Sequence, residues 1–161
     1  MRVVFLDFDG VLNSRALVER APAPLAIGLD LLDADAVASV ERFCVAENAE
    51  IVVTSTWRLT FDRAALEHLL RAKGLTTARV RDVTPMIPHK RGRGQEIQTW
   101  LDEAIDADRA APLEGIVILD DDPDMLHLMP WLVQTSFDTG VTAAHLDEAM
   151  TIVRRPPPSS A

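Results

Sequence analysis

Three short apolar runs in this chain each end in residues able to do chemistry. Val3-Val4-Phe5-Leu6 runs into Asp7 and, two residues on, Asp9. Ile51-Val52-Val53 runs into Thr54, Ser55, Thr56, Trp57 and Arg58, and Ile116 to Leu119 runs into Asp120, Asp121 and Asp122. A fourth cluster, Lys90-Arg91-Gly92-Arg93, is basic. A spacing of two lets the Asp7 and Asp9 carboxylates point the same way at a strand end. Carboxylates gathered in one place repel each other, and a hard dication held by oxygen ligands relieves that repulsion. Mg2+ suits such a site because it uses few carboxylates, keeps waters and accepts a phosphate oxygen. With phosphate so held, Asp7 can attack phosphorus in line to form an aspartyl-phosphate, and Asp9 can protonate the leaving oxygen and later activate water. A hydroxyl and a cation would complete the phosphate cradle.

These residues need a scaffold that brings the ends of several strands to one edge, as a parallel sheet does. The runs Arg2 to Leu6, Ile51 to Thr54 and Ile116 to Leu119 are continuously apolar, as strands buried on both faces are. A weaker strand is expected over Ala78 to Val83 and a fifth over Leu132 to Thr135. Between them lie helical periods: Val37, Val40 and Cys44; Leu66, Leu69 and Leu70, closed by Lys73 and Gly74; Ile97, Trp100, Leu101, Ala104 and Ile105; and Leu146, Ala149, Met150 and Val153. Strands alternating with helices predict an α/β fold, three-layered and doubly wound on a mainly parallel sheet.

The order DxDG, strand-end Ser/Thr, Lys/Arg, strand-end DD resembles the haloacid dehalogenase (HAD) superfamily of phosphatases and phosphotransferases, over nearly the whole chain. Asp7-Phe8-Asp9-Gly10-Val11-Leu12-Asn13 resembles its first motif. That implies Asp7 as nucleophile, Asp9 as general acid/base, and the backbone carbonyl of Asp9 on the metal with Asp7. The phosphate-binding hydroxyl is Thr54 or Ser55; Ser55 is preferred because similar small members place it two before the tryptophan. Asp120 is implied as the first metal ligand of the acidic motif and Asp121 as the second. For the basic motif, an Arg-Gly-x-Glu-Ile run before Trp-Leu favours Arg93, whereas the wider superfamily favours lysine, hence Lys90. The nearest likeness is to small domains, some fused in RNA-repair proteins, that carry Trp-Arg, Glu-Ile-x-x-Trp-Leu and Leu-Asp-Asp-Asp.

Members of that superfamily usually choose substrates with cap domains. Here the stretch from Asp9 to Ser55 has room for a flap, one helix and a strand, and Ser55 to Lys90 for one helix and one short strand, so no separate cap is expected. An uncapped site implies a large substrate, such as a phosphorylated macromolecular end, or closure by a partner subunit in a homo-oligomer. Arg20 to Leu32 is the segment that could serve as a short lid. Asp122 and Asp124, flanking Pro123, read as a helix N-terminus. Arg58 reads equally as a substrate clamp or as a packed ion-pair residue. Trp57 and Trp100 read as core, and His68, His89, His127 and His145 as solvated or structural, since none has metal-ligand spacing.

At 161 residues with 48% apolar content the chain fits a single domain, expected over 1–153. The terminal 154–161, Arg-Arg-Pro-Pro-Pro-Ser-Ser-Ala, cannot continue a helix and reads as a disordered tail. Sixteen basic against 25 acidic residues give a formal charge of −9, which works against extended nucleic-acid binding while allowing a local basic pocket. The lone Cys44 excludes an intrachain disulfide and reads as a buried, inert thiol. No apolar run reaches the ~18 residues of a membrane span or forms a signal segment, so a soluble, cytoplasmic protein is expected. Two other classes use similar residues: a receiver-type signalling module, disfavoured because its phosphorylated aspartate would lie where Thr54 and Ser55 are, and a catalytically quiet phosphate-binding domain.

Overall fold

The computed structural model describes residues 1–23, 27–87, 92–106 and 112–158, with the backbone alone for 104–106. Five strands form one sheet: β1 (Arg2–Leu6), β2 (Ala49–Val53), β3 (Val80–Val83), β4 (Gly115–Asp120) and β5 (Leu132–Gln134). Their order is β3-β2-β1-β4-β5 and every pairing is parallel. The helices are α1 (Arg15–Arg20), α2 (Ala34–Glu47), α3 (Arg63–Ala72), α4 (Arg93–Asp106) and α5 (Ala143–Val153), with 3-10 turns at Leu29–Leu31, Thr56–Leu59 and Leu126–Trp131. This is the three-layer α/β architecture that the alternating pattern predicts, with a sheet that is wholly parallel.

Alternation along the strands divides the core in two. Val4, Leu6, Ile51, Val53, Val117 and Leu119 face α2, α3 and α5, which bury Val37, Val40, Cys44, Leu66, Leu70, Ala149 and Val153. Val3, Phe5, Val52, Ile116 and Ile118 face the other way, onto Ile97, Trp100 and Leu101 of α4, and Phe5 meets Trp100 edge-on at 5.3 Å. The chain winds from β1 outwards to β3 beneath α2 and α3, crosses back under α4 and enters β4 on the far side of β1. β1 and β4 therefore flank the topological switch point, where ligands of open α/β sheets bind.

Three expectations need adjusting. β3 begins at Val80 rather than Ala78, because the buried Glu41 carboxylate takes the Thr76 hydroxyl and the Thr77 and Ala78 amides (2.7, 2.7 and 3.1 Å) ahead of the strand. The stretch between Asp9 and Ser55 holds a second, six-residue helix, α1, beside α2. In the expected tail, Arg154 pairs with Glu47 at 2.5 Å and the Pro156 carbonyl accepts from Trp131 Nε1 at 3.2 Å, so 154–156 lies against the body; 159–161 fall outside the described residues. Among the described residues no cap domain is inserted and no helix is long and apolar enough to cross a membrane.

Candidate functional site

One row of residues at the strand ends, a single step past β1, β2 and β3 and at the last residue of β4, carries the polar chemistry. Leu6 is level with Val53 and Leu119, and Val53 with Val83. The ladder continues through Thr54 N–H to Leu6 (2.9 Å), Asp7 N–H to Leu119 (3.0 Å) and Thr84 N–H to Val53 (3.0 Å). Thr84, Thr54, Asp7 and Asp120 are therefore level, and by alternation they share the face of Phe5, Val52, Asp82 and Ile118. That is the α4 face: Trp100 Nε1, on α4, donates to Asp82 at 2.9 Å. Every member of the row is buried.

Above the row stands the first turn of α4. Arg93 Nη1 lies 2.8 Å from Asp7 Oδ1 and 3.0 Å from Asp120 Oδ2. Both contacts are ion pairs without hydrogen-bond geometry, since neither Arg93 Nη1 nor Asp120 Oδ2 has a hydrogen bond; Asp120 Oδ1 accepts the Asp122 amide at 2.9 Å. Asp7, Asp120 and Asp121 each offer a carboxylate oxygen within 4.8 Å of the others. Asp121 packs over Gly10, which sits at φ +74 and whose missing Cβ leaves the space that this carboxylate fills.

Electrostatics follow from crowding in a dry place. Burial, then repulsion from Asp7, raise Asp120 to about 7 despite the opposing Arg93 charge. Asp121 is also raised, by burial and then Asp7. Burial opposes the charge of Arg93, but Asp7 and Asp120 outweigh it and lift its pKa. A triad with two buried members and one half-buried, in which Asp120 holds its proton towards neutrality and keeps one oxygen lacking any hydrogen bond, suits a hard dication. The donor set, all oxygen and no nitrogen or sulfur, suits Mg2+.

Asp9 does something else. Its Oδ1 accepts Asn13 Nδ2 at 2.7 Å and its Oδ2 accepts the Trp57 indole N–H at 3.1 Å, so its carboxylate is not part of the triad. The metal contact that the resemblance implies for Asp9 is through its backbone carbonyl and does not involve this carboxylate. Of the two candidate hydroxyls, Ser55 Oγ caps the following 3-10 turn through the Trp57 amide at 3.4 Å, while Thr54 Oγ1, level with Asp7, is buried without a partner. Thr84 Oγ1 is likewise unpartnered. Arg93 stands in the site; Lys90 and His89 lie outside the described residues.

Arg58 is resolved in favour of packing. Its side chain is 5% exposed, pairs with Glu96 of α4 and donates to the carbonyls of Thr84 (3.0 Å), Ser55 (2.9 Å) and Thr54. Burial lowers its pKa, partly offset by Glu96. Asp122 and Asp124 do not start a helix as expected. Asp122 takes the Asp124 amide at 2.9 Å in a local turn, Met125 N–H returns to Pro123, and the 3-10 turn begins only at Leu126. The backbone of Met125 presses so closely on Gly94 that a Cβ there would collide with it, which ties the diacid loop to the start of α4. In the lid segment, Leu31 and Leu32 are buried and Asn13 holds the Leu31 carbonyl (3.2 Å), Ile27 and Leu29 are exposed, and 24–26 lie outside the described residues.

Trp57 and Trp100 are buried as expected, but the Trp57 N–H reaches the site. His145 completes the capping box of α5 with Thr142, and His127 Nε2 lies 2.7 Å from Gln98 Oε1. Sequence reasoning gave no role to Asn13, Thr84 or Glu96. The fourth residue after Asp9 and the third after Arg93 carry a spacing signal in Asn13 and Glu96; Thr84 gives none, because only strand register aligns it with Asp7.

A family model described as "HAD domain in Swiss Army Knife RNA repair proteins" matches residues 3–146. No curated protein and no solved structure matches the chain.

Proposed function

Because this chain belongs to the family of HAD domains found in Swiss Army Knife RNA repair proteins, we propose that this HAD-type phosphohydrolase domain is a Mg2+-dependent phosphomonoesterase acting through an aspartyl-phosphate on Asp7. The observation that carries the reading is the Asp7-Asp120-Asp121 triad at the switch point, with Asp7 and Asp120 buried and Asp121 half-buried, an unbonded Asp120 oxygen and the Arg93 guanidinium beside it. Mg2+ would be held by Asp7, Asp120, Asp121 and the Asp9 carbonyl, and would offset the charge of both triad and substrate.

The chain's own residues divide the remaining work. Arg93, poised 2.8 Å from the nucleophile, binds a non-bridging phosphate oxygen and so exchanges carboxylate partners for phosphate. Thr54 or Ser55 donates a hydroxyl to the same group, and the level position of Thr54 with its free Oγ1 supports Thr54. Asp7 attacks phosphorus as Asp9 protonates the departing oxygen; Asp9 then takes a proton from the water that cleaves the aspartyl-phosphate. Arg58 holds the β2 and β3 ends against Glu96, fixing the distance between hydroxyl row and Arg93.

The substrate we propose is a phosphate at the end of a macromolecule, above all a nucleic acid. The uncapped edge supports this, as does the RNA-repair setting printed for the family. An end-on grip needs little of the basic surface that a net charge of −9 withholds. The test is Mg2+-dependent release of phosphate from an aryl phosphate and from 3′- and 5′-phosphorylated oligonucleotides. Asp7→Asn should lose at least ~1,000-fold in kcat; survival of the activity in that variant would remove Asp7 as nucleophile.

A further inference from the structure

The two groups that grip Asp9 come from different parts of the chain. Asn13 belongs to the turn after β1, where its Oδ1 accepts the Gly10 amide at 2.9 Å while its Nδ2 donates to Asp9. Trp57 arrives from the loop after β2, 48 residues away, is 1% exposed, and is wedged edge-on against Phe8 at 5.2 Å. A buried indole N–H needs an acceptor, and the acceptor here is a carboxylate oxygen. With one donor on each oxygen, the Asp9 carboxyl is fixed in position and plane, and each oxygen keeps a lone pair for a proton in transit.

We propose that Trp57, with Asn13, is a positioning residue for proton transfer by Asp9. The inference rests on the phosphatase reading above. In the first half-reaction the Asp7 O–P bond forms, the ester O–P bond breaks, and the Asp9 proton moves to the leaving oxygen; in the second, water oxygen bonds phosphorus, the aspartyl O–P bond breaks, and the water proton moves to Asp9. Both transfers need the carboxyl at one place on the substrate's line of attack, and a misplacement of about 1 Å in such a group can cost ~100-fold. The indole thus couples the hydroxyl-bearing loop to the acid/base: Ser55 Oγ caps the Trp57 amide, and the Trp57 ring holds Asp9.

The experiment compares two leaving groups in wild type, Asp9→Asn, Trp57→Phe and Asn13→Asp. Departure of p-nitrophenolate needs little protonation, whereas the alkoxide leaving from a 3′- or 5′-phosphorylated oligonucleotide needs it fully. Trp57→Phe keeps the ring against Phe8 and removes the N–H; because kcat/KM reports only the steps up to departure of the leaving group, and not the hydrolysis of the aspartyl-phosphate common to both substrates, we expect kcat/KM on the oligonucleotide to fall about tenfold or more, the scale of one hydrogen bond to a charged group, while kcat/KM on p-nitrophenyl phosphate falls less than about threefold. The ratio of the two rates is independent of how much variant is folded. Asn13→Asp keeps the acceptor for Gly10 and loses the donor to Asp9, so it should show the same selective loss even if Trp57→Phe does not fold. Equal losses on both substrates in both variants would overturn the positioning role. Separately, the Trp57 indole N–H resonance should move upfield in Asp9→Ala; an unchanged resonance would remove the contact itself. Wild type inactive towards both substrates, with the resonance shift present, would instead sink the phosphatase reading and the catalytic meaning of the contact with it.

Discussion

Asp120→Asn should make the metal-free protein more stable at alkaline pH, although it removes a charge that faces Arg93. In the folded chain Asp120 holds its proton up to about 7, against 3.8 for the free group. Between those values the folded state binds one proton more than the unfolded state, so stability present at low pH is lost as pH rises towards 7. The full difference is about three units at 1.36 kcal/mol each, or ~4 kcal/mol, and it belongs to the Asp7-Asp120 pair as a whole. Across the practical window from pH 5 to 8 roughly two of those units are traversed, about 3 kcal/mol, which for a chain of this size corresponds to ~6–12 °C in Tm. Thermal melts in EDTA at half-unit steps should therefore show wild type falling relative to Asp120→Asn as pH rises. Adding Mg2+ at pH 8 should recover the loss in wild type and do little for the variant. Parallel pH profiles for the two proteins in EDTA would refute the argument that Asp120 is a strained, ion-seeking carboxylate.

Three further outcomes follow from particular contacts. Gly10→Ala places a Cβ at φ +74 against the Asp121 carboxylate; it should cost about 1–2 kcal/mol in urea unfolding and weaken the Mg2+-induced rise in Tm. Arg58→Ala leaves Glu96 and the carbonyls of Thr54, Ser55 and Thr84 without their donor, so a loss of about 3–5 kcal/mol is expected by the same assay. Cys44, 1% exposed and with its thiol pushed up by burial to about 12, should not react with a thiol reagent until the protein unfolds.

The layout of the site was legible in the sequence wherever a strand end announced it. Asp7, Asp120 and the pair Thr54 and Ser55, of which the sequence favoured Ser55, each follow an uninterrupted apolar run, and buried parallel strands bring such ends to one edge. Of Arg93 and Lys90, between which the sequence did not choose, Arg93 stands against Asp7 and Lys90 lies outside the described residues. What escaped were properties that depend on register and on side chains meeting across the chain. No periodicity reveals that Trp57, plainly a core residue by type, spends its one polar hydrogen on Asp9, or that Thr84 is level with Asp7. The Asp122-Asp124 pair misled because acidic residues around a proline suit a helix start and a tight turn equally, and the close approach of Gly94 to the Met125 backbone decided for the turn.

The outermost strands of the sheet are its shortest. β5 has three residues and β3 four, and β3 carries Arg81, paired with Glu50 at 2.6 Å, and Asp82, taken by Trp100. An edge of three or four residues offers few open amides and carbonyls to a foreign strand, and charges along it oppose flat stacking. The long, sticky strands β1, β2 and β4 are enclosed between these guards. Growth of the sheet into aggregates by strand addition is thus discouraged by the same topology that gathers the carboxylates, and concentrated solutions of the folded domain should resist fibril formation.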